Sequence, residues 1–257
     1  MKDWCAKLLG MPPLASSNGQ DVDDLIIYVH WLMLALFIGW IAYFCYAVWR
    51  FRASRNPKAD YVGVKSHASS YVELAVAAVE AVLLIFIAVP LWAKAVDKFP
   101  DTKDATVVQI VAQQFNWNAR YAGPDGMFGK EDMKLVSLAN VFGVDPSDPN
   151  AADDIQLSPA YEIHVPVNKP VIMYVSSKDV IHSLKIIAMR VCQDAIPGLR
   201  IPCWFTPTGI GKYQINCAQL CGSSHAAMSS GYLVVESQAD FDKWLNSKAK
   251  KKIQSAE

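Results

Sequence analysis

The sequence predicts two membrane-spanning helices followed by an all-β domain. Hydrophobic residues make up 53% of the 257 residues and charged residues only 19%, below the roughly 25% usual for soluble domains. The apolar excess lies in two stretches of the N-terminal part, and the remainder alternates short β-rich runs with clusters of Pro, Gly and Asp. Basic and acidic residues balance at 24 each, which argues against a nucleic-acid-binding protein.

The two apolar stretches cover residues 25–49 and 72–93. Both reach the roughly 20 residues that a helix needs to cross the hydrocarbon core of a bilayer. Only Glu73 and Glu80 place charge in the second stretch. The alternative is a pair of buried helices in a soluble protein, but such helices rarely run this far without a polar face.

Basic residues crowd the short connection between the two stretches: Arg50, Arg52, Arg55, Lys58 and Lys65. The outer flanks carry fewer basic residues, so the positive-inside rule predicts a cytoplasmic connection, with both termini on the other side of the membrane. We therefore expect an N-terminal extracytoplasmic segment over residues 1–24, a transmembrane helical hairpin over 25–95, and a β domain over 96–257.

Seven short strands are expected after the hairpin, at residues 107–117, 160–165, 171–176, 182–187, 201–205, 211–216 and 232–236. Short strands without helical periodicity between them indicate a β-sandwich or barrel. The Asp-, Pro- and Gly-rich residues 123–159 are expected to form an exposed loop. Residues 238–252 are expected to form a surface helix with Phe241, Trp244 and Leu245 on one side.

Soft metal donors cluster in one predicted loop, which contains Cys217, Cys221, His225 and Met228. Thiolates and thioethers favour Cu(I), and imidazole serves both oxidation states of copper. His182, at the start of a predicted strand, offers a second imidazole. The spacing therefore predicts a metal site between two strands of the β domain.

Several interpretations fit this spacing. A mononuclear copper site needs one cysteine, two histidines and a methionine, and it leaves Cys217 idle. A zinc site of two cysteines and two histidines leaves Met228 unexplained, and a disulfide between the cysteines is possible in an oxidising compartment. A dinuclear copper centre uses every donor, with two bridging thiolates, one imidazole for each metal, the thioether, and a backbone carbonyl between the cysteines. Covalent haem attachment is disfavoured because the chain has no Cys-x-x-Cys-His run.

Nearly the whole chain resembles subunit II of the haem–copper cytochrome c oxidases. The shared features are the two-span hairpin, the aromatic run 113–117 (QQFNW), the segments 179–183 (DVIHS) and 193–198 (QDAIPG), and the loop 217–228. The resemblance implies a cupredoxin-like Greek-key sandwich that carries the dinuclear CuA centre, with two copper ions per chain. The metal ligands that it implies are His182, Cys217, Cys221, His225, Met228 and, through its main-chain carbonyl, Gln219.

The chain departs from the family pattern at three places. Many relatives have a glutamate that helps to hold magnesium where this chain has Gln219; a neutral amide is a poorer ligand for a hard cation, so no magnesium site is inferred. Most relatives have a tryptophan, where electrons arrive from cytochrome c, at the position of Phe115. Phe115 and Trp117 are expected to form an aromatic patch for electron transfer, the alternative for Trp117 being a place in the sandwich core. Cys192 and Cys203 lie outside the family motif, either as a disulfide or as free thiols.

The resemblance implies an electron-transfer subunit of a proton-pumping terminal oxidase whose oxygen chemistry lies in subunit I. Electrons would pass from a c-type cytochrome to CuA and then to a haem in subunit I, this chain holding no haem of its own. The expected partners are subunits I and III, in a bacterial inner membrane with the copper domain on the extracytoplasmic side. Asp179 and Asp194 are candidates for steering a lysine-ringed cytochrome. Glu73 is the candidate for proton uptake into subunit I, the alternative being an acid at the membrane interface, and Glu80 is a variation on the family pattern.

Two other function classes remain open. A copper-free quinol-oxidase-type subunit keeps the fold for a structural role but lacks the ligands, and five intact ligand positions argue against it. A membrane-tethered mononuclear cupredoxin carrier, or a copper-delivery protein, would not need two spans with embedded acids. Copper content separates the three classes, with two, no or one copper ion per chain.

Overall fold

The computed structural model describes residues 2–58, 61–63 and 65–256. The chain divides into two compact units. One comprises Met1–Met11 with Asp21–Lys94 and is helical; the other comprises Pro12–Gln20 with Ala95–Glu257 and contains the strands.

The helical unit contains a short helix α1 (Lys2–Leu8) and two long apolar segments. The first segment is α2 (Gly19–Phe51), and the second runs through α3 (Ala68–Leu83), a π-helical turn (Leu84–Ala88) and α4 (Val89–Asp97). Both are long and apolar enough to cross a membrane. The two helical stretches that the sequence predicts are therefore confirmed.

The π-helical turn has a local cause in Pro90. Proline has no N–H to donate to the carbonyl of Phe86 four residues earlier, and its ring clashes with that carbonyl. The N–H of Val89 bonds instead to the carbonyl of Leu84, five residues back. The hydrogen bonds just before the proline therefore reach back five residues instead of four. Such π-helical turns and kinks are also found in other helices that contain proline.

The β unit is a sandwich of two five-stranded sheets. Its strands are β1 (Thr106–Gln113), β2 (Asn116–Tyr121), β3 (Ile155–Leu157), β4 (Glu162–Pro166), β5 (Val171–Ser177), β6 (His182–Ile186), β7 (Val191–Ala195), β8 (Ile201–Phe205), β9 (Gly211–Cys217) and β10 (Gly231–Glu236). One sheet has the order β3-β2-β1-β5-β8 and the other β4-β10-β9-β6-β7. The pairs β1–β5 and β4–β10 are parallel, and the other pairs are antiparallel.

The core lies between the two sheets and consists of fully buried side chains such as Ile110, Leu184 and Leu233. The predicted all-β sandwich is thus confirmed. Residues 107–117 are predicted as one strand, but the chain turns at residues 114–115 to form β1 and β2. No glycine or proline marks this turn, which explains why composition does not reveal it. The strands β3 and β7 are likewise absent from the sequence prediction.

The C-terminal helix α5 (Gln238–Ala256) packs against this core through Phe241, which is buried, and Trp244. The Trp244 ring lies edge-on to Tyr121 at a centroid distance of 5.2 Å and stacks on His164 at 4.2 Å. The predicted helix with one apolar side is therefore confirmed.

Residues 123–159 do not form the simple exposed loop that their composition predicts. They contain two 3₁₀ turns, Met133–Leu135 and Pro149–Ala151, and the strand β3. The segment also has a small apolar core of its own, formed by Val141, Phe142, Val144 and Ala151.

A buried arginine anchors this segment to the sandwich. Arg120 of β2 has no solvent exposure, and its Nε lies 3.1 Å from Oδ2 of Asp154, which is also fully buried. The guanidinium also donates to the Gln109 side chain at 3.1 Å, to Glu131 at 2.5 Å and to the carbonyl of Gly129 at 2.8 Å. All these partners satisfy one buried charge, so the segment is held by electrostatics as well as by its apolar contacts.

We expect Arg120→Met to lower the free energy of unfolding by about 3–5 kcal/mol, because it leaves the carboxylate of Asp154 buried without its cation. The matched control is Arg200→Met, since Arg200 pairs with Glu131 while its own side chain is 48% exposed. That control should cost less than about 1 kcal/mol. Chemical unfolding of the full-length chain in detergent, followed by the β-sheet circular dichroism, measures both. Equal losses in the two variants would contradict the anchoring role of Arg120.

Candidate metal centre

Three potential metal ligands converge at one end of the sandwich. The donor atoms of His182, Cys217 and Cys221 all lie within 4.8 Å of one another, and all three residues are buried. The pairing of β6 with β9 causes this convergence, because it sets Leu184 opposite Cys217. Side chains alternate between faces along a strand, so His182 lies on the same face as Leu184 and Cys217.

The loop after β9 brings further donors to the cluster. The N–H of Ala218 donates to the carbonyl of Ser183 at 2.9 Å, which holds the start of the loop against β6. The Cys217 thiol donates to the carbonyl of Gln219 at 3.1 Å, and Nδ1 of His225 lies 3.3 Å from Sγ of Cys221. Cys217, the carbonyl of Gln219, Cys221 and His225 therefore lie close to one another, and the two cysteines lie close to His182.

Met228, the remaining predicted ligand, lies in the 3₁₀ helix His225–Ser230 and is fully buried. Its carbonyl accepts a hydrogen bond of 2.9 Å from Nε1 of Trp117. This bond fixes the segment that carries Met228 to the core of the sandwich.

The imidazole of His182 is held by a carboxylate. Its Nε2 lies 2.9 Å from Oδ1 of Asp179, which accepts the N–H. The other nitrogen, Nδ1, is buried without a hydrogen-bond partner among the residues that the structure describes. Buried polar atoms are almost always paired, and a histidine ligand characteristically donates its second nitrogen to a carboxylate or carbonyl. The arrangement at His182 is therefore the one that a metal ligand requires.

Electrostatics at the cluster agree with this arrangement. Burial and, to a smaller extent, the neighbouring Cys217 thiol together raise the pKa of Cys221 to about 11. Partial burial acts to raise the pKa of Asp179, but hydrogen bonds from the Gln114 N–H, His182 and the Val180 N–H outweigh it, so the net pKa is lowered. Asp179 therefore stays ionised and can accept a hydrogen bond from the imidazole N–H, whereas the Cys221 thiol needs a metal to release its proton.

The chemistry of these donors fits a soft metal. Two thiols, two imidazoles and a buried thioether are the ligand types that copper prefers, whereas tetrahedral zinc would leave the thioether unused. The six cysteines are free thiols in the structure, so Cys217 and Cys221 are not joined to each other.

The two predicted aromatic residues lie in different environments. Trp117 is 2% exposed and belongs to the core, with its ring 6.3 Å from that of His182. Trp117 is therefore a residue of the sandwich core, and its burial excludes direct contact with a docked protein. Phe115 is half-buried against the core and approaches the cysteine loop, since a Cβ at Gly222 would lie 3.0 Å from its ring. An electron-transfer role for both residues stays a prediction.

Of the other predicted site residues, Asp179 and Asp194 belong to the segments around His182, and Glu73 belongs to the helical unit. Asp179 and Asp194 are both exposed, and Asp194 is paired in register with Ser183, next to His182. Glu73 lies on α3 in the helical unit and is exposed in the isolated chain. Cys192 is an exposed free thiol, and burial raises the pKa of Cys203 to about 12, with Cys192 adding to the effect.

Sequence reasoning missed Gln114 at this site. Its side-chain Nε2 donates to the carbonyl of Cys221 at 2.7 Å, and its backbone N–H donates to Oδ2 of Asp179 at 2.7 Å. The residue lies within the QQFNW run, but a lone glutamine at a turn carries no periodicity or ligand spacing that would single it out.

The family model described as "Cytochrome C oxidase subunit II, periplasmic domain" matches residues 106–237. The alternative cytochrome c oxidase subunit 2 of Bradyrhizobium diazoefficiens is 30% identical over 241 residues, which cover 91% of this chain and 82% of the relative. Cytochrome c oxidase subunit 2 of Cereibacter sphaeroides is 28% identical over 257 residues, covering 93% and 82%.

A crystal structure of the periplasmic domain of subunit II of cytochrome oxidase from Bradyrhizobium japonicum is also similar. It is 29% identical, covers 57% of this chain and 94% of that domain, and superposes with a TM-score of 0.41. The match to the family model covers half of this chain, and the similarity to the Bradyrhizobium diazoefficiens subunit extends over most of it. With its two long apolar helices followed by a cupredoxin-like sandwich, this chain belongs to the cytochrome c oxidase subunit II family.

Proposed function

We propose that this chain binds a dinuclear copper centre and serves as the electron-accepting subunit of a proton-pumping terminal oxidase. The observation that carries the proposal is the convergence of two buried thiols and an imidazole within 4.8 Å. A dinuclear copper centre bound there supplies one-electron redox chemistry between a c-type cytochrome and a haem of subunit I, where oxygen is reduced to water. The residues that would hold it are His182, Cys217, Cys221, His225, Met228 and the carbonyl of Gln219.

The protein's contribution to such a relay is to keep the donors still. His182 and Cys217 lie on paired strands, and Asp179 holds the imidazole through Nε2. The indole N–H of Trp117 donates to the carbonyl of Met228 and so fixes the segment that carries this ligand. Donors supported by rigid strands and a further layer of hydrogen bonds move little when the charge of a bound metal changes, which lowers the energy needed to rearrange the site.

A centre of two copper ions would use all the proposed ligands, whereas a single metal ion would leave at least one of them unused. Mononuclear copper would leave Cys217 idle, and zinc would leave Met228 unused. The copper-free subunit and the tethered carrier with one copper remain distinguishable from the proposal by metal content alone.

We expect the purified full-length chain, loaded with copper, to contain two copper ions per chain and to show the paramagnetic resonance spectrum of one electron shared between them. Cys217→Ser should abolish the shared-electron spectrum, because it removes one of the two thiolates that would hold the copper ions, while the β-sheet circular dichroism is kept. The matched control is Cys192→Ser, which changes an exposed thiol outside the ligand set and should keep two copper ions. One copper ion, zinc, or no metal in the unsubstituted chain would refute the dinuclear centre.

The proposed location is the inner membrane of a bacterium, with the β unit on the extracytoplasmic side. The two apolar helical segments support a membrane hairpin. Arg50, Arg52 and Arg55, at the end of α2 and just beyond it, support a cytoplasmic connection by the positive-inside rule. The proposed partners in the membrane are oxidase subunits I and III.

The surface at the metal cluster suits a basic cytochrome. Leu220, between the two ligand cysteines, is 78% exposed, and Ile181, next to His182, is 46% exposed. Asp179 precedes Ile181 by two residues, and Asp194 lies opposite Ser183 in the pairing of β6 with β7, so both exposed carboxylates belong to the segments around His182. An apolar centre with acidic residues around it allows fast association with a lysine-rich surface and does not require tight binding.

We expect Asp194→Asn to slow electron transfer from a basic c-type cytochrome by a few-fold at low ionic strength, because it weakens electrostatic steering. The difference from the unsubstituted chain should vanish at high salt, where such charges are screened. Stopped-flow reduction of the copper-loaded oxidase complex measures this rate. Asp242→Asn, an exposed acid on α5 outside the ligand loops, serves as the control. A salt-independent effect, or an equal effect of the control, would exclude steering by Asp194.

We also propose Glu73 as the residue of this chain that assists proton uptake into subunit I. Its position near the start of α3 corresponds to the cytoplasmic end of the hairpin in the proposed orientation. Glu80 lies seven residues later, close to the same face of the helix.

Glu73→Ala should reduce proton uptake and turnover of the assembled oxidase several-fold, whereas Glu80→Ala should leave both nearly unchanged. Proton uptake by the complex reconstituted in vesicles, measured with a pH-sensitive dye, checks this. Unaltered uptake and turnover in the Glu73→Ala oxidase would remove Glu73 from the proton path.

A further inference from the structure

A set of hydrogen bonds joins three separate segments at the metal cluster. They are the turn between β1 and β2, the residues leading into β6, and the loop after β9. Gln114 lies at the centre: its Nε2 donates to the carbonyl of Cys221 at 2.7 Å, and its N–H donates to Oδ2 of Asp179 at 2.7 Å. Asp179 in turn accepts from Nε2 of His182 at 2.9 Å. We call the linked pair Gln114 and Asp179 the clasp.

The clasp connects two proposed ligands through a residue that is not a ligand. Cys221 and His182 lie in segments far apart in the sequence, and the bonds of Gln114 and Asp179 connect the carbonyl of Cys221 to the imidazole of His182. Gly222, directly after Cys221, has a φ of +139°, and a Cβ there would lie 2.8 Å from Nε2 of Gln114. The loop therefore approaches Gln114 as closely as a glycine backbone permits.

We propose that Gln114 is a positioning residue for the metal centre: it sets the placement of Cys221 relative to His182 before and after metal binds. The inference rests on the proposed function, in that the metal to be held is copper. A carboxamide suits this role because its N–H group donates to a main-chain carbonyl, while its own backbone engages the carboxylate that orients the imidazole. Loss of the Gln114 carboxamide would keep every proposed ligand but would remove the hydrogen bond that restrains the loop after Cys221.

The test compares Gln114→Leu with Gln113→Leu in the full-length chain. Gln113 is the preceding residue, also a glutamine, and its side chain makes no hydrogen bond with the described part of the chain. Copper affinity is measured by competition with a copper chelator, and the paramagnetic resonance spectrum and reduction potential are recorded at saturation. Hydrogen exchange at residues 221–225 is measured before copper is added.

We expect Gln114→Leu to bind the same number of copper ions with about tenfold weaker affinity, as is typical when a partner of a ligand is lost. Its hyperfine splitting and potential should shift, and exchange in the cysteine loop should be faster, while Gln113→Leu matches the unsubstituted chain. Gln114→Glu, similar in shape but without the donor, should reproduce these changes if the leucine variant does not fold.

A Gln114→Leu or Gln114→Glu chain that equals Gln113→Leu in affinity, spectrum, potential and exchange overturns the clasp. The dinuclear proposal fails separately, if the unsubstituted chain does not hold two copper ions. Even then the exchange comparison in the metal-free protein still decides whether Gln114 restrains the loop.

Discussion

The pairing of β6 with β9 is the constraint on which the candidate metal centre depends. It sets Leu184 opposite Cys217 and thereby brings His182 to the same face. A shift of one residue would turn Cys217 to the opposite face, away from the imidazole. Leu184 and Ile215, both with no solvent exposure, oppose such a shift because it would expose them. Burial of ordinary apolar side chains therefore maintains the ligand geometry.

Support for the site comes from several layers. The core fixes Trp117, Trp117 fixes the segment of Met228, and Asp179 and Gln114 join the segments of His182 and Cys221. These contacts use main-chain carbonyls of Cys221 and Met228 and Nε2 of His182, and so leave the thiols, the thioether and Nδ1 of His182 free for a metal. A cupredoxin-like sandwich can thus carry different metal loops on one scaffold, while contacts behind the ligands decide how much each loop moves.

Much of this organisation could be predicted from local sequence patterns. The two apolar stretches, most strands, and the Cys217-to-Met228 spacing carry signals that need only neighbouring residues. Contacts between distant residues carried no such signal. Arg120 meets Asp154 across 34 positions, so the packed character of residues 123–159 was hidden by their loop-like composition. The role of Gln114 was hidden for the same reason, since its partners lie 65 and 107 positions away.

The buried guanidinium of Arg120 also limits how this domain can be re-engineered. Segments rich in Asp, Gly and Pro are the usual places to trim a protein for crystallisation or to insert a tag, because surface loops tolerate changes in length. Removing residues 123–154 here would take away Asp154, Glu131 and the Gly129 carbonyl, and so leave the Arg120 cation without its counter-ions. A shortened variant would need an apolar side chain in place of Arg120 as well, since paired replacement of buried ions by hydrophobic groups preserves stability where deletion of one partner does not.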